Sequence, residues 1–405
     1  MRSRINVAVL IDGLGWGGAE ALVPEFVRAA SGADLVVSVG YLREKDGSPV
    51  AARLLDHGVE PVGLRVGGLL HPSSVRAVRT FLARTNPDVV HTHLGYSDFL
   101  GAVAAGQLGL PVVSSVHVTA WAAGGRDTVK TALTALAQRW AVSRTLAVSH
   151  AARTALVGHG VPADRVVVVH NGIQGSPRPG AGRQVRAQLG IADDDLVVAM
   201  VSVLRGGKGH DVMVEAVTRL RPLVPRLRLL VVGDGPSRAE VEGCLRPLGQ
   251  TAVMTGHRED VMDVLDAIDV LCLPSRAEAF PTILLEAMAA RVPVVASAVG
   301  GVPEIVVDGV TGSLVPTPVR DVELAEALLP YLESPEGRAA AGRAGRARFE
   351  EAFTAERWID RTRLVYDDVL GERARPLQRL GGRLPTASVL RRLRNNGLVS
   401  DDTLY

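Results

Sequence analysis

Short, nearly uninterrupted apolar runs alternate along the chain with longer stretches whose apolar residues recur every three or four positions. Residues 5–11, 35–41, 89–91, 112–117 and 145–148 are apolar runs of strand length. They lack the in–out alternation of a sheet with one wet face. Residues 19–30 and 73–84 have helical spacing between them. Such strands, joined by helices, predict a parallel sheet covered on both faces. The pattern pauses over residues 171–190, where Gly, Pro and Arg accumulate. It resumes with apolar runs at 196–204, 228–233, 252–255, 270–273 and 293–297. A long helical stretch runs from Arg357 to about Leu370.

The expected architecture is α/β, with two Rossmann-like, doubly wound parallel-sheet domains. The first covers 1–175 and the second 191–353, with a linker over 176–190. A helix over 354–371 is expected to pack back towards the amino-terminal domain, followed by a tail over 372–405. In such sheets ligands bind beyond the carboxyl ends of the strands, so the expected site is a cleft between facing domains.

Composition supports this picture. At roughly 150 residues per domain, 405 residues make two domains or three. Hydrophobic residues at 47% and charged residues at 22% exclude wholesale disorder. Aromatics at 4% leave the cores to Val, Leu, Ala and Ile. A net charge of +2 argues against a nucleic-acid partner. Cys244 and Cys272 are too few for a disulfide framework, which suits a reducing, cytoplasmic compartment. The opening apolar run is too short for a signal peptide, and no uncharged apolar run reaches membrane-spanning length. Lysine occurs only at Lys45, Lys130 and Lys208, as in a GC-rich bacterial genome. From Glu372 onward seven Arg face three acids, making a basic tail that is a candidate for peripheral contact with an anionic membrane face. Pro376, Gly381, Gly382 and Pro385 argue equally for an ordinary exposed tail.

Three loops carry chemistry. Gly13-Leu14-Gly15-Trp16-Gly17-Gly18 follows the first strand and reads literally as a dinucleotide fingerprint. The acid that should end the second strand of a nicotinamide enzyme is missing, because that strand ends Val39-Gly40-Tyr41. The second loop, Arg205-Gly206-Gly207-Lys208-Gly209, places two cations on a flexible turn at a strand's carboxyl end, suited to a diphosphate. The third is Pro274-Ser275-Arg276-Ala277-Glu278-Ala279-Phe280-Pro281-Thr282, continuing to Glu286. Pro281 is expected as the first residue of a helix whose free N–H groups can hold an anion, flanked by two carboxylates able to bind hydroxyls.

Two metal-like patterns argue weakly. Asp193-Asp194-Asp195 is most simply a solvated turn. His91 and His93 at a strand end have no evident third ligand and suit packing or acceptor contact. No metal is expected.

Taken together, these elements resemble the retaining nucleotide-sugar glycosyltransferases of family 4, whose GT-B fold consists of two Rossmann-like domains facing each other across a cleft. The likeness covers about residues 5–370. Its carriers are Glu278…Glu286, Lys208-Gly209, Gly233-Asp234-Gly235, His170-Asn171-Gly172, Gly300-Gly301-Val302-Pro303-Glu304, Gly17-Gly18-Ala19-Glu20 and His117. The resemblance implies a donor site in which Glu286 binds ribose, Glu278 lies near the sugar, and the backbone at Phe280, Pro281 and Thr282 helps bind sugar and phosphate. Arg205 and Lys208 would neutralise the diphosphate, with Gly17 and Gly18 close to the donor. The loop at Arg258 would line the base pocket, chiefly through its backbone, and His117 would face the donor sugar. The catalytic set implied is therefore His117, Glu278, Arg205 and Lys208. The family arginine is replaced by Val203, leaving Arg205 as its substitute.

Acceptor candidates lie in the amino-terminal loops, with Trp16, Tyr96 and Trp121 as the aromatic surfaces suited to a sugar face. The implied reaction moves a hexose or N-acetylhexosamine from a nucleotide diphosphate, UDP being the commonest in the family, to an acceptor hydroxyl. The acceptor is either a cell-surface glycan or lipid precursor, or a small metabolite such as an aminocyclitol. No cofactor is implied beyond the nucleotide-sugar co-substrate. A nucleotide-sugar epimerase or a non-catalytic nucleotide-sugar-binding protein of the same fold are the alternatives. The sequence does not fix an oligomeric state.

Overall fold

The computed structural model describes residues 4–15, 17–44, 49–68, 71–117, 127–175 and 177–374, with backbone only for 127–132 and 373–374. The chain divides into two compact units that exchange at His170/Asn171 and again at Thr354/Ala355.

The first unit contains β1 (Ile5–Gly13), α1 (Gly18–Ala30), β2 (Leu35–Arg43), α2 (Val50–Asp56), β3 (Val62–Gly63), α3 (Pro72–Thr85), β4 (Val89–His93) and α4 (Gly95–Gln107). It continues with β5 (Val112–Val116), α5 (Asp127–Trp140), β6 (Arg144–Ala147), α6 (His150–Gly158) and β7 (Val166–Val168). Its seven described strands pair in the order β3-β2-β1-β4-β5-β6-β7, all parallel. From Val7 to Ile11 every residue of β1 is buried, which explains the missing alternation. On β4 the two faces differ in chemistry. Val90 joins a core with Val78, Phe81, Leu82 and Leu100 of α3 and α4. His91 packs edge-on to Phe26 of α1, with ring centroids 5.5 Å apart.

The second unit contains α7 (Ala181–Leu189), β8 (Leu196–Val201), α8 (His210–Leu220), β9 (Leu227–Val232), α9 (Arg238–Leu245), β10 (Ala252–Gly256), α10 (Val261–Asp266) and β11 (Val270–Leu273). It ends with α11 (Thr282–Ala289), β12 (Val294–Ser297), α12 (Val302–Ile305), β13 (Gly312–Val315), α13 (Asp321–Glu333) and α14 (Pro335–Ala352). Its parallel strand order is β10-β9-β8-β11-β12-β13. Val198, Met200, Leu229, Val231 and Val270 pack under Met213 and Val217 of α8 and Leu324 and Leu328 of α13.

The expectation of a linker over 176–190 is corrected. Residues 181–189 form α7, and the glycines that suggested a linker are its boundaries: Gly180 and Gly190 adopt φ of 76° and 65° at the two caps. Within the helix, Gly182 is required by close approach, since a Cβ there would overlap the Asp266 backbone. Its N–H donates to Asp266 Oδ2 at 2.8 Å, and Arg186 Nη2 donates to Asp269 Oδ2 at 3.0 Å, tying α7 to the second unit.

The final helix, α15 (Ala355–Ala374), runs a little beyond the expected 354–371. It is integral to the first unit. Trp358 stands edge-on to Phe26 at 5.5 Å, and the buried Arg363 guanidinium donates to the Ala33 carbonyl at 2.5 Å. Among the described residues, no helix is long and apolar enough to cross a membrane.

Candidate functional site

In the second unit, β8 and β11 are adjacent although their chain numbers are not, so the crossovers diverge here and leave a crevice above their carboxyl ends. The loops leaving these strands are residues 202–209 and 274–281. They are fastened to each other and to the loop after β9 by main-chain contacts. Arg276 N–H donates to the Gly207 carbonyl at 2.8 Å, Leu204 N–H to Asp234 at 2.9 Å, and Ser237 N–H to Leu204 at 3.0 Å. At Gly209 (φ 77°) a Cβ would overlap the Pro274 carbonyl, and at Gly233 it would overlap that of Ser202. Glycine is needed because the backbones themselves touch.

The charge at the centre of this crevice is a pair. Lys208 Nζ lies 2.6 Å from Glu278 Oε1, with side chains only 11% and 10% exposed. Two of the sequence-selected residues, seventy positions apart, are thus brought into one hydrogen-bonded ion pair. Arg205 is exposed, and among the described residues none pairs with it. Val203, which stands where the family arginine is expected, is 40% exposed.

Pro281 is corrected by one position. It is the N-cap of α11 (φ −72°, ψ 115°), and Thr282 is the first helical residue. Phe280 is buried edge-on against Phe353 at 5.8 Å, so its backbone rather than its ring is offered to a ligand. Glu286 is half-buried on α11. The Arg258 guanidinium is committed to Asp260, with Nε and Nη2 donating at 2.8 and 2.5 Å, and it reaches Gln188 of α7 at 3.4 Å. That guanidinium holds the Asp260 carboxyl below the usual carboxylate range. Arg238, which the motif reading did not single out, hydrogen-bonds Asp234 at 2.6 Å and lies where a Cβ on Gly256 would meet it at 3.3 Å. Its only sequence signal was its position four residues after Asp234. The acids at 193–195 serve their own turn: Asp195 accepts the Ala192 N–H at 3.0 Å, and Asp194 pairs with Arg226.

In the first unit the corresponding crevice lies above β1 and β4. Gly17 caps α1, and the buried Glu20 carboxylate occupies the space a Cβ on Gly17 would need. Gly18 is exposed at the first position of α1. Asp12, at the end of β1, accepts the Ser97 and Tyr96 N–H groups at 2.7 and 3.2 Å, capping the start of α4. The Arg43 guanidinium lies 4.6 Å from the Tyr96 ring centroid, so this acceptor candidate already has a partner on its face. Trp16 and Trp121 lie outside the described residues.

His117 follows β5 directly. Burial lowers its pKa to about 4, and that of His91 to about 3. On the other face of β4, buried Asp98 accepts hydrogen bonds from Thr92 (2.5 Å), Ser114 (2.7 Å) and Gln138 (3.2 Å). Burial nevertheless pushes its carboxyl up to about 7. Neither Asp98 nor its network was legible from motif spacing.

With this geometry in view, the relatives can be placed. Residues 16–174 match the family model Glycosyltransferase Family 4, and residues 183–348 match Glycosyl transferases group 1. A D-inositol 3-phosphate glycosyltransferase of Mycobacterium tuberculosis is 31% identical over 315 residues, which are 73% of this chain and 64% of the relative. The chain therefore spans less than two thirds of that relative's length. Among solved structures, Anabaena HepE in complex with UDP-glucose superposes with a TM-score of 0.79 at 23% identity, covering 90% of this chain and all of HepE. A sucrose-phosphate synthase from Thermosynechococcus elongatus gives 0.75 at 22% identity, covering 91% and 100%. The fold is GT-B, with two parallel-sheet α/β domains of seven and six strands.

Proposed function

We propose that the chain is a retaining glycosyltransferase that moves a hexose or N-acetylhexosamine from a nucleotide-diphosphate sugar to an acceptor hydroxyl. The observation that carries this reading is the Lys208–Glu278 pair, set where the loops after β8 and β11 meet. The carboxylate 2.6 Å away holds Lys208 at the strand end, where a diphosphate would compete with Glu278 for its charge. The α11 N-terminus beside it offers backbone N–H groups and the positive end of the helix dipole to the same diphosphate.

In the proposed step the bond from the sugar's C1 to the diphosphate oxygen breaks while the acceptor oxygen bonds C1 on the same face. The acceptor proton passes to the departing diphosphate. Lys208, Arg205 and the α11 N-terminus offset the charge developing on the leaving group, and orientation of the two substrates supplies the rest. No side-chain nucleophile or metal ion takes part in this scheme. Glu286 is assigned to the ribose, Glu278 to the sugar, the backbone at 280–282 to sugar and phosphate, and His117 to the transferred sugar. Gly17 and Gly18 are assigned to the donor, and Tyr96, Trp16 and Trp121 to the acceptor.

UDP is the proposed nucleotide, supported by the UDP-glucose held by HepE at the same fold. A small cyclitol is the favoured acceptor class, supported by a relative named for an inositol phosphate. The test is a thermal-shift series with UDP, GDP, ADP and dTDP, followed by transfer assays with the corresponding sugars. A ligand at a hundredfold excess over its Kd should add about 2.7 kcal/mol of stability. A shift with one nucleoside diphosphate, lost in Glu286→Ala, is expected. No shift with any of them would overturn the reading.

A further inference from the structure

The first unit contains three histidines in a row, of which the proposed chemistry uses one. His91 and His93 point to the same face of β4, their ring centroids 4.3 Å apart. His91 is held at both nitrogens: Nδ1 lies 2.5 Å from Tyr366 Oη of α15, and Nε2 lies 2.8 Å from Ser115 Oγ of β5. His93 turns its Nδ1 towards His117 Nε2 at 3.2 Å, the two rings being nearly parallel at 5.5 Å. His93 is 1% exposed, and its Nε2 is buried without a hydrogen-bond partner among the described residues. His117 is half-buried, so only it reaches towards solvent.

The backbone under His93 is fixed too. Leu94 adopts φ 75°, ψ 166°, a conformation that side chains rarely accept and that persists only where the surroundings enforce it. Here the Ser97 hydroxyl donates to the His93 and Leu94 carbonyls, while Asp12 holds the Ser97 N–H.

Only one hydrogen can lie between His93 Nδ1 and His117 Nε2. If His117 were the donor, the proton of neutral His93 would sit on Nε2, as a buried N–H with nothing to bond. If His93 is the donor, Nε2 carries only a lone pair, the less costly of the two orphans. We propose that His93 is a positioning residue that donates from Nδ1 to His117 Nε2, locking His117 in its Nδ1-protonated form with that N–H available to substrate. The inference about the transferred sugar rests on the function proposed above; the tautomer does not.

The test separates the two. In the full-length protein labelled with ¹⁵N-histidine, long-range proton–nitrogen correlation reads the tautomer directly, His117 being assigned by the signals lost in His117→Asn. Protonation of His117 at Nδ1 is expected; protonation at Nε2 overturns the proposal whatever the enzyme does. The functional arm compares His93→Asn, whose amide nitrogen can replace the Nδ1 donor, with His93→Leu, which cannot donate. The probe is UDP release from UDP-glucose with water as the acceptor, with UDP affinity measured by calorimetry. His93→Asn is expected within about threefold of wild type in kcat, and His93→Leu at least tenfold lower, with UDP affinity unchanged in both. Equal kcat in the two variants would reduce His93 to packing and refute the positioning role. If wild type neither released nor bound UDP, the proposed donor would fail, while the tautomer spectrum would still decide the inference.

Discussion

Acidification provides a sharp test of the buried imidazoles. An exposed histidine titrates near 6.5, whereas His91 and His117 are lowered to about 3 and about 4, and His93 also lies well below 6.5. Between about pH 4 and 6.5 the unfolded chain therefore binds protons at His91 and His117 that the folded chain refuses, with His93 acting in the same direction, and stability falls as pH falls. Asp98 acts in the opposite sense. Its folded pKa of about 7, against 3.8 unfolded, means that the folded chain holds one proton more in the same window. His91 and His117 less Asp98 leave a net difference of about one proton, to which His93 adds in the same sense. At ~1.4 kcal/mol per proton per pH unit, the first unit should lose at least about 1.4 kcal/mol for each unit of acidification. All four tryptophans, Trp16, Trp121, Trp140 and Trp358, belong to the first unit, so indole fluorescence reports its unfolding selectively. Urea melts at intervals from pH 4.5 to 6.5 give the slope. His117→Asn should remove one proton and lower the slope by about 1.4 kcal/mol per pH unit. A flat profile, or a slope unaltered in His117→Asn, would refute the picture of a neutral, desolvated histidine row.

Other expectations follow from contacts in both units. Lys208→Met should abolish stabilisation by UDP and lower Tm by several degrees in thermal-shift assays, because Glu278 is left little exposed without its cation. Glu278→Gln frees Lys208, so calorimetry should show UDP binding at least as tight as in wild type while sugar transfer falls. Gly209→Ala places a Cβ at φ 77° against the Pro274 carbonyl and should cost roughly 2 kcal/mol or more. The control Gly206→Ala, with open space around it, should stay within about 0.5 kcal/mol in the same urea melts. Trp358→Ala, which empties the space beside Phe26, should destabilise the first unit by about 3–5 kcal/mol in fluorescence-independent melts followed by circular dichroism.

The long strands were readable because burial on both faces makes an apolar run. β1, β8 and β11 carry that signature, whereas β2 is only half-buried at Val36, Val37, Ser38 and Tyr41. β3 and β7 have only two and three residues, and β13 opens on Gly312-Ser313 rather than on an apolar run, so these strands are set by the neighbouring strand that offers hydrogen bonds. α7 was masked by its own punctuation, since the glycines that cap it also resemble a linker. At the site, Lys208 and Glu278 could be selected by motif, but their contact spans a sequence distance that no local pattern encodes. The histidine row shows the same limit: His91 and His93 are visible as a pair, whereas the hydroxyl that pins His91 arrives from Tyr366, 275 residues later. Long-range polar contacts leave no trace in periodicity, because they depend on which loops the topology makes neighbours.

The return of α15 to the first unit has a consequence for how the protein is made. The second unit is one continuous stretch, 171–354, and all of it has been synthesised before α15 is complete. The first unit begins earlier but must wait, with Phe26 lacking Trp358 and His91 lacking Tyr366, until the ribosome has added those residues. Synthesis order and completion order are thus inverted: the later unit can close first, and the earlier one stays open along one face of its sheet for nearly two hundred residues of elongation. At about 5–20 residues per second, that window lasts on the order of ten to forty seconds. Nascent chains stalled short of residue 358 should therefore be cut preferentially within the first unit by added protease, and chains stalled well beyond 374 should resist.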